Sequence, residues 1–198
     1  MTFTDRVLKA PRETCRPAGG FTLVELLVTF VVLSILLGLA VPAFRSFMQN
    51  DQQWTQTSNL VVGLNIARSE AIKDDLNGVA KICSSNNGTT CTDTAWEGGW
   101  IVLGADPASP LNPPKRLQVV GALPAGTTLT ESSNNRSITF MSNGALGPLA
   151  TPEPVVAFKM CDPRGAASAR YLQVSTMGRV SASQTPGKDL TGAALACP

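Results

Sequence analysis

Residues 19–27 read Gly19-Gly20-Phe21-Thr22-Leu23-Val24-Glu25-Leu26-Leu27, and the stretch that follows, Val28 to Val41, carries no charge. At 1.5 Å per residue, a helix over Phe21–Val41 is about 30 Å long, enough to cross the hydrocarbon core of a bilayer. The segment before it contains Arg6, Lys9, Arg12 and Arg16. Basic residues on that side keep the N-terminus cytoplasmic and send the rest of the chain across the inner membrane to the periplasm. A secretory signal peptide is the competing reading, since Gly38-Leu39-Ala40 offers small residues to a signal peptidase. Two features oppose it. The apolar run exceeds an ordinary signal core of about 15 residues at most. It also contains Glu25, and a carboxylate in hydrocarbon costs about 2–3 kcal/mol even on translocon scales, so it marks function.

These nine residues resemble the class III signal of type IV prepilins. The resemblance implies that a prepilin peptidase cuts between Gly20 and Phe21 and that the new N-terminus, Phe21, is methylated. It also implies that Glu25 pairs with the N-terminal amine of a neighbouring subunit during assembly. Physical chemistry agrees, because a charge pair in low dielectric is strong when formed and costly when broken. Pro42 closes the apolar run. It reads either as a kink that loosens the preceding turn or as an ordinary helix end at the membrane surface.

The totals suit one membrane helix and one domain of ordinary size. Charged residues make up 15% of the 198, and Gly and Pro together number 31, which predicts a turn-rich, β-rich module. Without residues 1–20 the chain keeps twelve basic and twelve acidic residues, so bulk attraction to nucleic acid is not expected. There is no histidine and no Cys-x-x-Cys, so neither a metal site nor a cofactor is expected. Cys15 lies in the leader. The other four cysteines suit two disulfides in an oxidising compartment, with buried free thiols as the alternative. Of the three possible connectivities, Cys83–Cys91 with Cys161–Cys197 is the expected one.

Beyond Pro42 a helical period continues. Phe47, Trp54 and Val61 recur every seven residues, and Leu60, Leu64, Ala67 and Ala71 follow spacings of four, three and four. Asn50, Asp51, Gln52 and Gln53 form a polar girdle across this stretch. The helix is expected to run to about Asp75 and stop at Asn77-Gly78, with its second half packed on a sheet. Arg68-Ser69-Glu70 is expected partly exposed and structural in role. The period then changes to two. Strands are expected over Val79–Ser84, Trp100–Leu103, Lys115–Val120, Thr127–Glu131, Ser137–Met141, Val155–Cys161, Arg170–Ser175 and Arg179–Ser183. Turns are expected at Ser142-Asn143-Gly144 and Thr176-Met177-Gly178, and a proline-rich surface loop over Ala105–Pro114. The predicted layout is a leader at 1–20, a membrane and assembly helix at 21–42, its periplasmic continuation at 43–77 and a β-rich domain at 78–198. The fold class is α+β.

Ala67-Arg68-Ser69-Glu70-Ala71-Ile72, Ile82-Cys83 with Cys91, Gly99-Trp100-Ile101-Val102, and Val174-Ser175 with Gly178-Arg179-Val180 resemble the FimT/GspH group of minor pilins and pseudopilins. The cysteine pairs are more similar to the pilus-associated FimT and FimU members than to the secretion pseudopilin. The resemblance implies a type IV pilin-like fold and a structural role in a pilus, in its initiating or tip complex. The implied partners are the prepilin peptidase, other major and minor pilins or pseudopilins, and the inner membrane. A type II secretion pseudopilin is the alternative. A second alternative is DNA capture, for which some FimT-like pilins use a Gly-Arg-x-Arg loop and a basic tail. Here Gly178-Arg179-Val180-Ser181 lacks the second arginine. From Lys159 onward, Lys159, Arg164, Arg170, Arg179 and Lys188 stand against Asp162 and Asp189. Arg179, Lys188 and Arg170 are the candidate phosphate contacts, with binding expected to be weak and without sequence preference. No catalytic residue is expected: without histidine the commonest general base is missing, and no phosphate loop or nucleophile elbow occurs.

Overall fold

The structure, a computed structural model, describes residues 20–73, 79–104, 114–149 and 154–197. The basic leader with Cys15, the helix stop at Asn77-Gly78 and nearly all of the Ala105–Pro114 loop lie outside the described residues. The chain divides into two compact units, residues 1–45 and 46–198. One helix, α1, runs from Leu23 to Lys73 and passes through Pro42 without ending there. This excludes the reading of Pro42 as a helix end.

In the first unit the helix is apolar on every side and its side chains are exposed. Such a helix suits a lipid environment, in which backbone polar groups must be satisfied internally. It is the one described helix long and apolar enough to cross a membrane.

In the second unit α1 buries a single stripe formed by Gln53, Thr57, Leu60, Gly63, Leu64, Ala67 and Ala71. The stripe packs against two four-stranded antiparallel sheets. Strands β1 (Ala80–Ser84), β2 (Trp100–Gly104), β3 (Lys115–Val120) and β5 (Ser137–Phe140) form the first, in the order β3-β2-β1-β5. Strands β4 (Thr128–Glu131), β6 (Val155–Cys161), β7 (Arg170–Ser175) and β8 (Val180–Ala182) form the second, in the order β4-β6-β7-β8. Period-two alternation puts Ile82, Val102, Ile138 and Phe140 from one sheet into the core. From the other it puts in Val156, Phe158, Met160, Leu172 and Val174. Trp96 stands edge-on to Phe158 with ring centroids 5.1 Å apart, and its indole N–H donates to the Asn135 carbonyl. On the other side of the first sheet, Cys83, Ile101 and Leu103 form a small second cluster against Cys91. All of β2 is therefore buried.

The seven-residue series does not mark the buried face. Phe47 and Trp54 are 67% and 59% exposed, whereas Gln53, expected in the polar girdle, is 3% exposed. Consecutive helix residues point 100° apart, so Trp54 faces away from the stripe that Gln53 shares with Leu60 and Leu64. Trp54 instead receives the Arg170 guanidinium, 5.8 Å from its ring centroid.

Arg68 fastens the far end of this interface. Its Nε donates to the Gly144 carbonyl (3.1 Å) and its Nη2 to the Met177 carbonyl (3.3 Å), so one helix side chain holds both predicted turns. The turns touch each other. Gly178 has φ +72°, and a Cβ there would lie 2.0 Å from the Gly144 carbonyl oxygen. Left-handed backbone and lack of space both require glycine at this position. Gly178→Ala is expected to destabilise the fold by about 2 kcal/mol or more. Gly121→Ala, with nothing within 4 Å of the added carbon, is expected to be near neutral. Thermal unfolding of both variants checks the contrast.

Candidate functional site

The N-terminal site is built on the first turn of α1. Gly20, Phe21 and Thr22 precede the helix in irregular backbone and are exposed. The Glu25 backbone N–H donates to the Thr22 hydroxyl oxygen at 3.2 Å. Thr22 is therefore the helix cap, and Thr22-x-x-Glu25 has the spacing of a capping box. Glu25 falls in the first turn, where the helix dipole favours a negative charge. Sequence analysis picked out Glu25 but passed over Thr22, although a threonine three residues before a glutamate at the head of an apolar run is a readable start signal.

Disulfides join Cys83 to Cys91 and Cys161 to Cys197, with Cα separations of 5.6 and 6.0 Å. The first ties the polar loop after β1 over the small cluster of Ile101 and Leu103. The second ends a tail that crosses the second sheet. Ser183 N–H donates to the Tyr171 carbonyl, Gly187 N–H to the Ala169 carbonyl, and the Lys159 ammonium to the Ala196 carbonyl. The Asp189 carboxylate folds the tail locally by accepting from the Thr191 hydroxyl and from the backbone N–H groups of Thr191 and Ala193. The Thr191 hydroxyl is the largest influence holding the Asp189 carboxyl below its usual range; the backbone donors add to it, and desolvation opposes it. The Tyr171 hydroxyl is pushed up, first by burial and then by the nearby Asp189 charge.

The structure does not gather the candidate phosphate contacts. The Arg179 carbonyl accepts from Ser175 N–H at one end of the β7–β8 hairpin. Arg170 begins β7 at the other end, a strand length of about 17 Å away. Lys188 follows Gly187, which is bonded to Ala169, and so also lies at the far end. The Cys161–Cys197 disulfide therefore does not bring Lys188 near Arg179. Three of the basic residues from Lys159 onward have protein partners. Arg164 bonds Asp162 (2.6 Å between Nη2 and Oδ2) and Asn50 (2.7 Å), Arg170 lies over Trp54, and Lys159 holds the tail. Among the described residues no group of three or more His, Cys, Asp or Glu side chains is placed to hold a metal.

The sequence model described as "Type II transport protein GspH" matches residues 56–178. The chain belongs to the GspH family. The model described as "Prokaryotic N-terminal methylation motif" matches residues 15–41 of this GspH-family chain, the segment that holds Gly20, Phe21 and Glu25. Two crystal structures of the type IV minor pilin FimU from Pseudomonas aeruginosa PAO1 are similar in fold. One has 24% identity and a TM-score of 0.50, over 70% of this chain and 98% of that one. The second, from another crystal form, has 22% identity and a TM-score of 0.46, over 65% and 91%. A search of curated proteins finds no match. The fold is thus that of a type IV pilin, with one long N-terminal helix on antiparallel sheets, and the GspH-family chain is a membrane-anchored pilin-like protein.

Two measurements test the tail of this GspH-family domain. Replacing Cys161 and Cys197 together by serine is expected to lower stability by about 2–4 kcal/mol by loop entropy. It is also expected to raise amide exchange at Ser183, Gly187 and Leu195, read by hydrogen exchange. The Asp189 turn follows the rule for a lowered carboxyl: its contribution is fully present above the unfolded pKa and is lost as pH falls through the folded one. Protection of the Thr191 and Ala193 amides should therefore persist to below the ordinary aspartate range and then disappear.

Proposed function

We propose that this chain is a minor pilin, cut between Gly20 and Phe21 by a prepilin peptidase, methylated on Phe21, and incorporated into a type IV pilus as part of its initiating or tip complex. One observation carries the proposal: an otherwise uncharged membrane-length segment bears a single carboxylate, Glu25, in its capped first turn, inside the matched methylation motif. A free ammonium on Phe21 and the Glu25 carboxylate of a neighbouring subunit are complementary charges in a medium of low dielectric. The basic leader holds the N-terminus on the cytoplasmic side and leaves the domain periplasmic. The residue layout follows: leader 1–20, membrane helix 21–42, its continuation 43–77 and the β-rich domain 78–198.

The role is structural. DNA capture has less support, because the basic residues are spread over both ends of the β7–β8 hairpin and several have protein partners. A place in a secretion pseudopilus shares every feature of the site. Deletion separates the two readings, since a pilus role predicts loss of surface pili with secretion unchanged.

Intact-mass measurement of membrane fractions is expected to find a chain starting at N-methylated Phe21. A soluble product starting after Ala40 would overturn the assignment. Glu25→Ala is expected to leave cleavage and membrane insertion intact while depleting the protein from sheared pili by about tenfold or more, a factor of ten being about 1.4 kcal/mol. Thr22→Ala should reduce incorporation more mildly and Thr22→Ser should restore it, as read by immunoblot of sheared filaments.

A further inference from the structure

At the lower end of the helix–domain interface the packing turns from apolar to polar. Gln49, Gln52, Gln53 and Gln56 line a cleft of about 70 Å³, closed on the domain side by Thr127 and Asp162. Gln53 is 3% exposed, yet neither its amide nitrogen nor its amide oxygen has a protein partner, and the same is true of the Gln56 amide oxygen. The Thr57 hydroxyl gives its proton to the Gln53 main-chain carbonyl, so it donates to neither amide oxygen. A buried polar group left unpaired loses its hydration with nothing in return. Three such atoms together cost as much as a large share of the stability of an ordinary domain.

The unpaired groups set what the cleft can hold. The Gln53 nitrogen donates, and the oxygens of Gln53 and Gln56 accept. A ligand that satisfies all three must donate and accept, be small, and carry no charge. Asp162, at the cleft wall, already pairs with Arg164, so it supplies no net field that would favour an ion. Water has these properties. A cleft of about 70 Å³ exceeds the ~10–15 Å³ that one water needs, so it has room for ordered water. We propose that this cleft is a hydration site in which ordered waters, held by Gln53 and Gln56, join α1 to the loops at Thr127 and Asp162. The base of the domain is then fastened to its helix by exchangeable hydrogen bonds, in contrast to the dry contact around Leu60 and Leu64.

The test uses the full mature chain in detergent, with water itself as the probe. In the ¹⁵N-labelled protein the Gln53 side-chain amide protons are expected to show cross-relaxation with water of the sign given by long-lived bound molecules. Gln53→Met, which keeps the shape and removes the polar atoms, is expected to lower Tm by about 3–6 °C, since waters that lose their anchor no longer bridge the loops. Absence of the water cross-peaks, or a Tm for Gln53→Met equal to or above the parent, would overturn the proposal. If the variant fails to fold, the cross-relaxation result on the parent chain decides alone.

Discussion

The burial of Leu60, Leu64, Ala67 and Ala71 between two sheets is the contact on which the rest of the domain depends. The inward faces of both sheets meet the same helix stripe in one core, whereas the other side of the first sheet carries only the small Cys83, Ile101 and Leu103 cluster among the described residues. The small residues matter as much as the leucines. Gly63, Ala67 and Ala71 bring the helix backbone close to the sheets, and a Cβ at Gly63 would come within 2.6 Å of the Gln118 amide oxygen. Each fully buried leucine contributes about 1.5–3 kcal/mol, so two leucines and a close fit outweigh any single surface pair in the domain. The Arg68 clamp and the two disulfides act at the margins of this contact. They hold turns and tail against sheets whose position the helix has already set.

The strands were legible because each alternates against a single core, and their observed limits differ from the expected ones by at most a residue at either end. The helix stripe was legible only in part. Leu60, Leu64, Ala67 and Ala71 stand out by spacing, but Phe47 and Trp54 are larger and mislead a reader who weighs size over angle. Gln53 was unreadable as a buried residue, because glutamine is mostly exposed in proteins and nothing local marks the cleft that contains it. The basic residues show a different limit. Their count toward the C-terminus was correct, but placing them required the pairing of β7 with β8 and the path of the tail, which are tertiary facts. Thr22 was legible and overlooked.

α1 meets two environments along one chain of hydrogen bonds, and its composition changes accordingly. Up to Arg45 the side chains are apolar all round, as a helix in lipid needs; beyond Ser46 only one stripe is. Pro42 is tolerated inside the helix, and the helix continues through it. Proline removes one main-chain hydrogen bond and crowds the preceding turn. Such a defect is less costly at the end of an apolar run than in its middle, and Pro42 directly follows Val41, the last residue of the Phe21–Val41 run.

Magnitudes explain why a lone carboxylate in the membrane half calls for a partner. On the proposed reading, Glu25 lies in hydrocarbon, where a carboxylate costs about 2–3 kcal/mol. Its place in the first turn returns about 0.3–1 kcal/mol from the helix dipole, and the Thr22 cap fixes that turn without adding a counter-charge. A deficit remains in the isolated subunit. An ammonium at hydrogen-bond distance in the same medium supplies more than the deficit, and Phe21 acquires one only when the bond to Gly20 is cut. The carboxylate thus favours a processed neighbour over an unprocessed one, and a destabilised monomer helix becomes the driving force for ordered addition.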